Sequence, residues 1–356
     1  MQSLPQISFI VAAYNVENYL RECLDSVISY PGTEIEIIIV DDGSTDGTGN
    51  ICDEYAYKDE RIHVIHQHNQ GLSAARNSGI KAAKGIWLSF VDGDDLLAVQ
   101  AVEKMLAHLD SEKQLLVFGA EAFCEDRIIE QWLPNDYSMD APEEIRVYCR
   151  RVMYDDVDEK NTYGHPHNVT AWGKVFLREF VIGNRLLFPE KIRFAGDLPY
   201  TFCYTHLLKN IKFVSDCIYR YRNRQGSLTD MWHPGVIQEM DAVYEDISST
   251  MLKFNDRSDV EFVKALHYRE LLMTFRCIMS GAGHFRGGWN NSQKIRFLQE
   301  LRSMAWAEEG LSAIYDKYEK KVRSFRLLET MKKRQYCLII MRFYYYRIRD
   351  WLRAHI

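Results

Sequence analysis

The feature that most constrains this chain is an alternation of two hydrophobic periods along its first 120 residues or so. Ile7–Ala13 is a nearly continuous apolar run, the pattern of a strand covered on both faces. Val16, Tyr19, Leu20, Cys23, Leu24, Val27 and Ile28 then recur at helical spacing as one stripe, and Pro31-Gly32 ends it. Glu34–Val40 reads as a second buried strand, and the polar turn Asp41–Asp46 leads into a helix running to about Tyr57. Strands follow at Ile62–His66, Ile86–Val91 and Leu115–Phe118. Helices are expected over Ser73–Ala83 and along Val99, Val102, Met105, Leu106 and Leu109. Strands and helices alternating through short connections predict an α/β fold, a mostly parallel sheet with helices on both faces.

Beyond residue 120 the pattern changes. Trp132–Asp158 carries one clear signal, a helix over Pro142–Tyr154, and a second ordered cluster spans Val169–Thr229 with a helix over Leu198–Leu208. After His233-Pro234 the reading is helical almost throughout, broken at Gly281–Trp289, so a boundary falls near 232. With 47% hydrophobic and 26% charged residues, a disordered or collagen-like chain is excluded. Met1–Gln6 has no basic start before an apolar run, so no signal peptide is expected, and no 18-residue apolar stretch predicts a spanning helix. Eight cysteines without a C-x-x-C pair argue against zinc ribbons and disulfide scaffolds and favour a reducing, cytoplasmic compartment. The net charge of −6 is uneven. Residues 317–356 carry 12 lysines and arginines against three acids, a net +9, which leaves −15 for the rest. A nucleic-acid binder would carry its basic surface on the working domain; here it lies in a tail.

In a parallel sheet, the loops leaving the carboxyl ends of the strands line the ligand crevice. Those loops hold this chain's small and polar residues: Ala12–Asn15, Asp41–Ser44, Gln70–Asn77 and Asp92–Asp95. Three carboxylates within four residues at a strand end repel one another, so a positive partner is expected. Magnesium shared with substrate phosphates fits, since it takes one or two carboxylates and otherwise phosphate and water oxygens. The plainer alternative is a solvated turn capping a helix. Asp42 can accept a hydrogen bond from the imide N–H of uracil, or cap the helix that follows. Arg76 suits a phosphate or a sugar hydroxyl, or is an exposed helix charge.

Together the segments FIVAAYNVENYLRECLDSV, IIIVDDGSTDGT, NQGLSAARNSGIKAAKG and WLSFVDGDDLL strongly resemble the nucleotide-sugar domain of family 2 glycosyltransferases of the GT-A fold. The likeness is dense over residues 5–120 and thinner through AWGKVF, LFPEKIRFAGDLPYTF and YRYRNRQGSLT. It implies a catalytic domain over 1–232, with a nucleotide-sugar half to about 120 and an acceptor half over 121–232, then a helical region over 233–356. It further implies a UDP-sugar donor, a divalent metal (Mg²⁺ or Mn²⁺) and a saccharide or lipid-linked saccharide acceptor in cell-surface polysaccharide assembly. Carried over by position, Ala12 and Tyr14 frame the base and Asp42 binds the imide. Arg76 contacts the nucleotide sugar, Asp92 and Gly93 lie near the ribose, and Asp94 holds the metal with Asp92. Asp197 is the general base of an inverting displacement; its alternative role is a helix cap. Trp172, Lys174 and Asp95 are expected beside the acceptor, although a large aromatic is as often core. Arg222 and Arg224 would close over the diphosphate, and His165 and His167 are a weaker metal pair. The chain departs from the pattern at Gly196, where the family usually has Glu before the base, and at the strand end Val11-Ala12-Ala13-Tyr14, where many members have a proline.

Three rivals bear comparison. A sugar nucleotidyltransferase needs a glycine-rich, basic loop after the first strand, and Ala12–Glu17 has neither residue type. A dinucleotide oxidoreductase needs G-x-G-x-x-G there. A catalytically impaired scaffold subunit is favoured by Gly196 alone. Finally, the tail places Arg342, Arg349 and Arg353 on one helical face and Ile340, Tyr344, Ile348 and Trp351 on the other. That pattern predicts a helix lying on an anionic membrane surface, or one packed on the acidic catalytic domain.

Overall fold

The computed structural model describes residues 4–125, 127–153, 169–193, 195–224, 235–281, 290–313 and 330–341. They form two compact units, one ending at Gln225 and one beginning at Gly226. In the first unit the elements run β1 (Ile7–Ala13), α1 (Leu20–Ile28), β2 (Ile35–Asp41), α2 (Thr48–Lys58), β3 (Ile62–His66), α3 (Leu72–Ala82) and β4 (Trp87–Asp92). There follow β5 (Leu96–Leu97), α4 (Ala101–His108), β6 (Leu115–Cys124), β7 (Arg127–Trp132), β8 (Tyr137–Met139) and α5 (Pro142–Met153). The unit closes with β9 (Lys174–Leu177), α6 (Arg178–Gly183), α7 (Asp197–Leu207) and β10 (Ile211–Arg222).

The strands make one sheet in the order β3-β2-β1-β4-β9-β6-β10-β5, with β7 beside β6 and β8 beside β10, and helices cover both its faces. β1, β2, β3 and β4 are mutually parallel, as the apolar runs require. All seven residues of β1 and of β2 are buried. Of the two acids among them, Glu36 and the terminal Asp41, Glu36 accepts hydrogen bonds from Ser8 Oγ and from the backbone of Lys84 and Gly85. Each buried oxygen thus bonded avoids a desolvation cost of about 1–3 kcal/mol.

The chain winds outward from β1 through β2 to β3, then returns to place β4 on the other side of β1. This reversal is the switch point at which an open α/β sheet leaves a crevice. Register brings the strand ends level there: Ala12 pairs with Asp92, Ala13 with Asp41, and Asp41 with His66. Helix α3 reaches this edge because Gly79 lies directly on β1. A Cβ at that position would stand 2.2 Å from Ile10 Cγ2.

Three elements differ from the sequence reading. Helix α1 starts at Leu20 rather than Val16, because residues 15–17 are stitched to the loop after β2. Asn15 has a φ of 50°, its side chain accepts from Thr45 N, and the Val16 and Glu17 amides donate to Thr48 and Asp46. Strand β6 continues past Phe118 through Gly-Ala-Glu-Ala, held between β10 and β7. The four-residue β9 runs antiparallel between β4 and β6.

The second unit is helical in its described residues: α8 (Val236–Lys253), α9 (Val260–Gly281), α10 (Asn291–Ser303) and α11 (Ala305–Ala313). A reciprocal capping box between Asn290 and Gln293 opens α10. Among the described residues no helix is long and apolar enough to cross a membrane. Ile339 and Ile340 are buried. The tail beyond Met341, and with it the predicted amphipathic face, lies outside the described residues.

Candidate active site

The centre of the crevice is Arg76, one turn into α3 and 1% exposed. Its Nη2 donates to Asp92 Oδ1 at 2.7 Å, and its Nη1 donates to Asp197 Oδ1. One guanidinium therefore holds the end of β4 and the start of α7, the latter 121 residues from Arg76 in sequence. It lies 5.2 Å from the ring centroid of Phe188, which stacks on Tyr200 with centroids 3.8 Å apart. Phe90 and Phe176 pack edge-on against the same aromatic group, a rigid floor for the charge. Arg76 is thus no exposed helix charge. The two carboxylates hold it firmly protonated against the cost of burial.

The Asp92–Asp95 turn divides its acids by environment. Burial pushes the Asp92 carboxyl above the usual range, with Arg76 opposing and Asp197 and Asp94 reinforcing. Asp94 Oδ2 accepts Arg224 Nε at 2.9 Å and pairs with its Nη2 at 2.8 Å. Asp95 is 1% exposed; its Oδ2 accepts Tyr219 Oη at 2.6 Å and its Oδ1 accepts Arg222 N at 2.7 Å. Burial, then Asp94 and Asp92, push the Asp95 carboxyl well up. Asp95, expected beside the acceptor, is buried and ties the turn to β10. Gly93 passes so close to β1 that a Cβ would lie 3.0 Å from Ala12 O.

A divalent cation suits what remains. Among the described residues Asp92 Oδ2 and Asp94 Oδ1 accept no hydrogen bond, and both side chains are 23% exposed. Two hard oxygens at the mouth of the crevice match a cation that completes its shell with phosphate and water. Arg224 holds the other Asp94 oxygen and would share that residue with the ion.

Asp42 is 3% exposed and caps no helix. It accepts Gln67 Nε2 and Gln70 N on Oδ1 and Gly71 N on Oδ2, bracing the loop before α3. Of about four acceptor positions on a carboxylate, one is left, on Oδ2. Ala12 is buried beneath this loop edge and Tyr14 is 46% exposed at its rim. Asp41 stands beside them. Burial opposes ionisation there, but hydrogen bonds from Ser44 and His66 hold its carboxyl below the usual range.

Asp197 is the first residue of α7 and does not cap it. Its Oδ2 accepts Ala171 N at 2.9 Å, which fixes the carboxylate from the side opposite Arg76. The preceding Gly196 has a packing reason: a Cβ there would lie 2.4 Å from Ser73 Oγ, which is donated to Ile192 O at 2.9 Å. Ser73 occupies the space that a larger residue at 196 would need.

Two further residues expected beside the acceptor are buried. Trp172 is 7% exposed and stacked on Tyr219 and Tyr221 at 4.8 and 5.7 Å, part of the core. Lys174 is 1% exposed and donates to Thr170 O at 2.7 Å, closing the turn that presents Ala171 N. Arg222 and Arg224 do reach the turn, with Arg222 Nε on Asp94 O and both guanidiniums over the Tyr19 ring. His165 and His167 lie outside the described residues. Sequence reasoning missed Tyr219, whose Oη joins Asp95 and accepts from Asp92 N at 3.2 Å. Its alternation with Tyr221 in YRYR was the available signal.

An open sheet whose switch-point crevice is rimmed by these carboxylates defines an enzyme of the GT-A architecture. The comparisons agree. The model of glycosyl transferase family 2 matches residues 8–181. The chain is 34% identical over 247 residues to the uncharacterized glycosyltransferase EpsJ of Bacillus subtilis, covering 68% of each chain. It is 29% identical over 302 residues to the putative glycosyltransferase EpsH of the same organism, covering 84% of this chain and 82% of that one. Among solved structures, S. aureus TarS 1–349 in complex with UDP-GlcNAc shares the fold with a TM-score of 0.63 at 20% identity, over 96% of this chain and 91% of the other. The chain belongs to glycosyltransferase family 2 and is a glycosyltransferase.

Proposed function

We propose that the enzyme transfers a sugar from a UDP-sugar to a hydroxyl of a saccharide acceptor with inversion, in the assembly of a cell-surface polysaccharide. One observation carries the mechanism: Arg76 holds Asp92, on the donor side, and Asp197, the candidate base, on a single guanidinium. Asp42 Oδ2 accepts the uracil imide, with Ala12 and Tyr14 framing the base and Asp92 and Gly93 lying at the ribose. Asp94 and Asp92 would hold a divalent cation, which when bound supplies counter-charge to the leaving diphosphate. Arg224 stands beside Asp94 to meet the same phosphates.

Asp197 takes the proton of the acceptor hydroxyl on the face opposite the diphosphate. Two of its four acceptor positions are used by Arg76 and Ala171 N, so the carboxylate is oriented yet keeps lone pairs for that proton. One displacement suffices, and no covalent enzyme intermediate is formed. The packing of Ser73 against Gly196 accounts for the missing Glu without loss of the base, which weighs against an inactive scaffold.

Residues 1–232 are the catalytic domain in this reading, with the acceptor bound by the half over 121–232. Work on the cytoplasmic face of a membrane follows from the basic, aromatic sequence of 342–356. The decisive experiment incubates the enzyme with a panel of UDP-sugars, Mn²⁺ or Mg²⁺ and saccharide acceptors. UDP release that needs both metal and acceptor is expected; a chain that binds UDP-sugars and releases none under any combination is not a transferase of this kind. Flotation with anionic vesicles, with and without residues 317–356, tests the membrane contact.

A further inference from the structure

The helical unit contains a polar cluster that the transfer reaction does not use. His267 and Glu270 lie one turn apart on α9, and Glu309 lies on α11. His267 Nδ1 is 2.8 Å from Glu270 Oε2, and the three residues offer ligand atoms within 4.8 Å of one another. The two helices meet closely here, since a Cβ at Gly310 would stand 2.7 Å from Glu270 Cβ. Glu309 is exposed and His267 partly so, which leaves a path from solvent.

Glu270 is the unusual member. It is 0% exposed, and among the described residues its Oε1 has no hydrogen-bond partner; Thr274 Oγ1, one turn along α9, is likewise buried without one among them. A buried carboxylate with one oxygen unserved costs several kcal/mol unless a positive group lies against it. The imidazole alone meets one oxygen. Arg257, whose charge also acts on the pair, directs its Nη2 to Tyr244 and Ser248.

We propose that His267, Glu270 and Glu309 bind one divalent transition-metal ion, zinc being the best chemical match, which pins α11 to α9. One imidazole nitrogen with two carboxylates is a donor set that zinc accepts and that magnesium and calcium, which prefer all-oxygen shells, do not. Bonds of about 2.0–2.2 Å set ligand atoms roughly 3–4 Å apart around the ion, so closing the site takes a rotamer change of exposed Glu309. Glu270 Oε1 lies on the same carboxylate as the ligating Oε2 and can join as a second oxygen. The raised His267 affinity for a proton, due first to Glu270, is the same attraction that a cation would exploit. The site stands independently of the proposed transfer chemistry.

The test uses the full chain, stripped with chelator, carrying Asp92→Asn and Asp94→Ala so that the crevice contributes no cation site. Calorimetric titration with Zn²⁺ alone is expected to show one equivalent bound, with a higher unfolding temperature. His267→Gln and Glu309→Gln, each at a position with solvent exposure, should each weaken binding by about 10–100-fold or more, with unchanged far-UV circular dichroism. The absence of stoichiometric zinc binding overturns the proposal. So does zinc bound with equal affinity by a folded Glu309→Gln chain.

Discussion

Replacing Arg76 by methionine tests whether the crevice is organised around one buried cation. Methionine keeps most of the length over Phe188 and removes the guanidinium. Two charge-assisted hydrogen bonds are lost, to Asp92 and Asp197, each worth about 1.5–3 kcal/mol. Against this, the guanidinium's own burial is relieved, including an Nε that has no partner among the described residues, at about 1–3 kcal/mol. The carboxylates are 23% and 22% exposed, so solvent screens part of their loss. The net expectation is about 3 kcal/mol of destabilisation at pH 7, in line with breaking a buried pair from one side. With a urea dependence of about 3 kcal/mol/M, the unfolding midpoint falls by about 1 M. The pH dependence supplies the sharper check. Burial already pushes the Asp92 carboxyl up against the opposing charge of Arg76, so without Arg76 it binds its proton still more readily in the folded state than in the unfolded chain. The penalty from Asp92 is then full above its folded pKa and shrinks as pH falls through that value toward the unfolded one. Urea titrations of both proteins between pH 4 and 8 decide it. A loss under 1 kcal/mol at pH 7, or a loss that does not shrink in acid, refutes the reasoning.

Four further outcomes are expected. Asp94→Ala should abolish transfer and weaken metal-dependent UDP binding; calorimetry showing the same affinity in Mn²⁺ would remove Asp94 from the donor site. Asp197→Asn should keep donor affinity and lower turnover by roughly 10²–10⁴-fold; near-normal turnover would move the base elsewhere, Glu190 being the next acid to test. Gly196→Ala should cost about 1–3 kcal/mol through its clash with Ser73 Oγ, and the cost should largely vanish in a Ser73→Ala background; additive losses in the double variant would refute the packing account. His66, whose pKa is raised first by Asp41 and then by Asp53, contributes stability that is full below about pH 6.5 and is lost as pH rises through its folded value. His66→Gln should therefore flatten the stability profile above neutrality, and an unchanged slope would count against the pairing.

Much of this protein is legible without coordinates because its strongest signals are local. A strand buried on both faces must be apolar along its length, so Ile7–Ala13 falls at its observed bounds. Parallel strands force their loops to one edge, so the convergence of Asp42, Arg76 and Asp92 follows from element order alone. The helical character of the described residues after 235 is likewise a matter of period. What only the tertiary structure decided is which polar residues are consumed by the fold. Asp94 and Asp95 are adjacent and chemically identical, yet one faces the crevice and the other is sealed under Tyr219, because β10 arrives from 124 residues away. Trp172 and Lys174 carry the family signature but lie in the core, since β9 inserts antiparallel between β4 and β6. Arg76 reads as an ordinary helix charge until α7 brings Asp197 against it. A one-dimensional pattern records which face a residue occupies on its own element. Burial by a distant element, and the pairing of charges that burial compels, exist only once the chain has closed on itself.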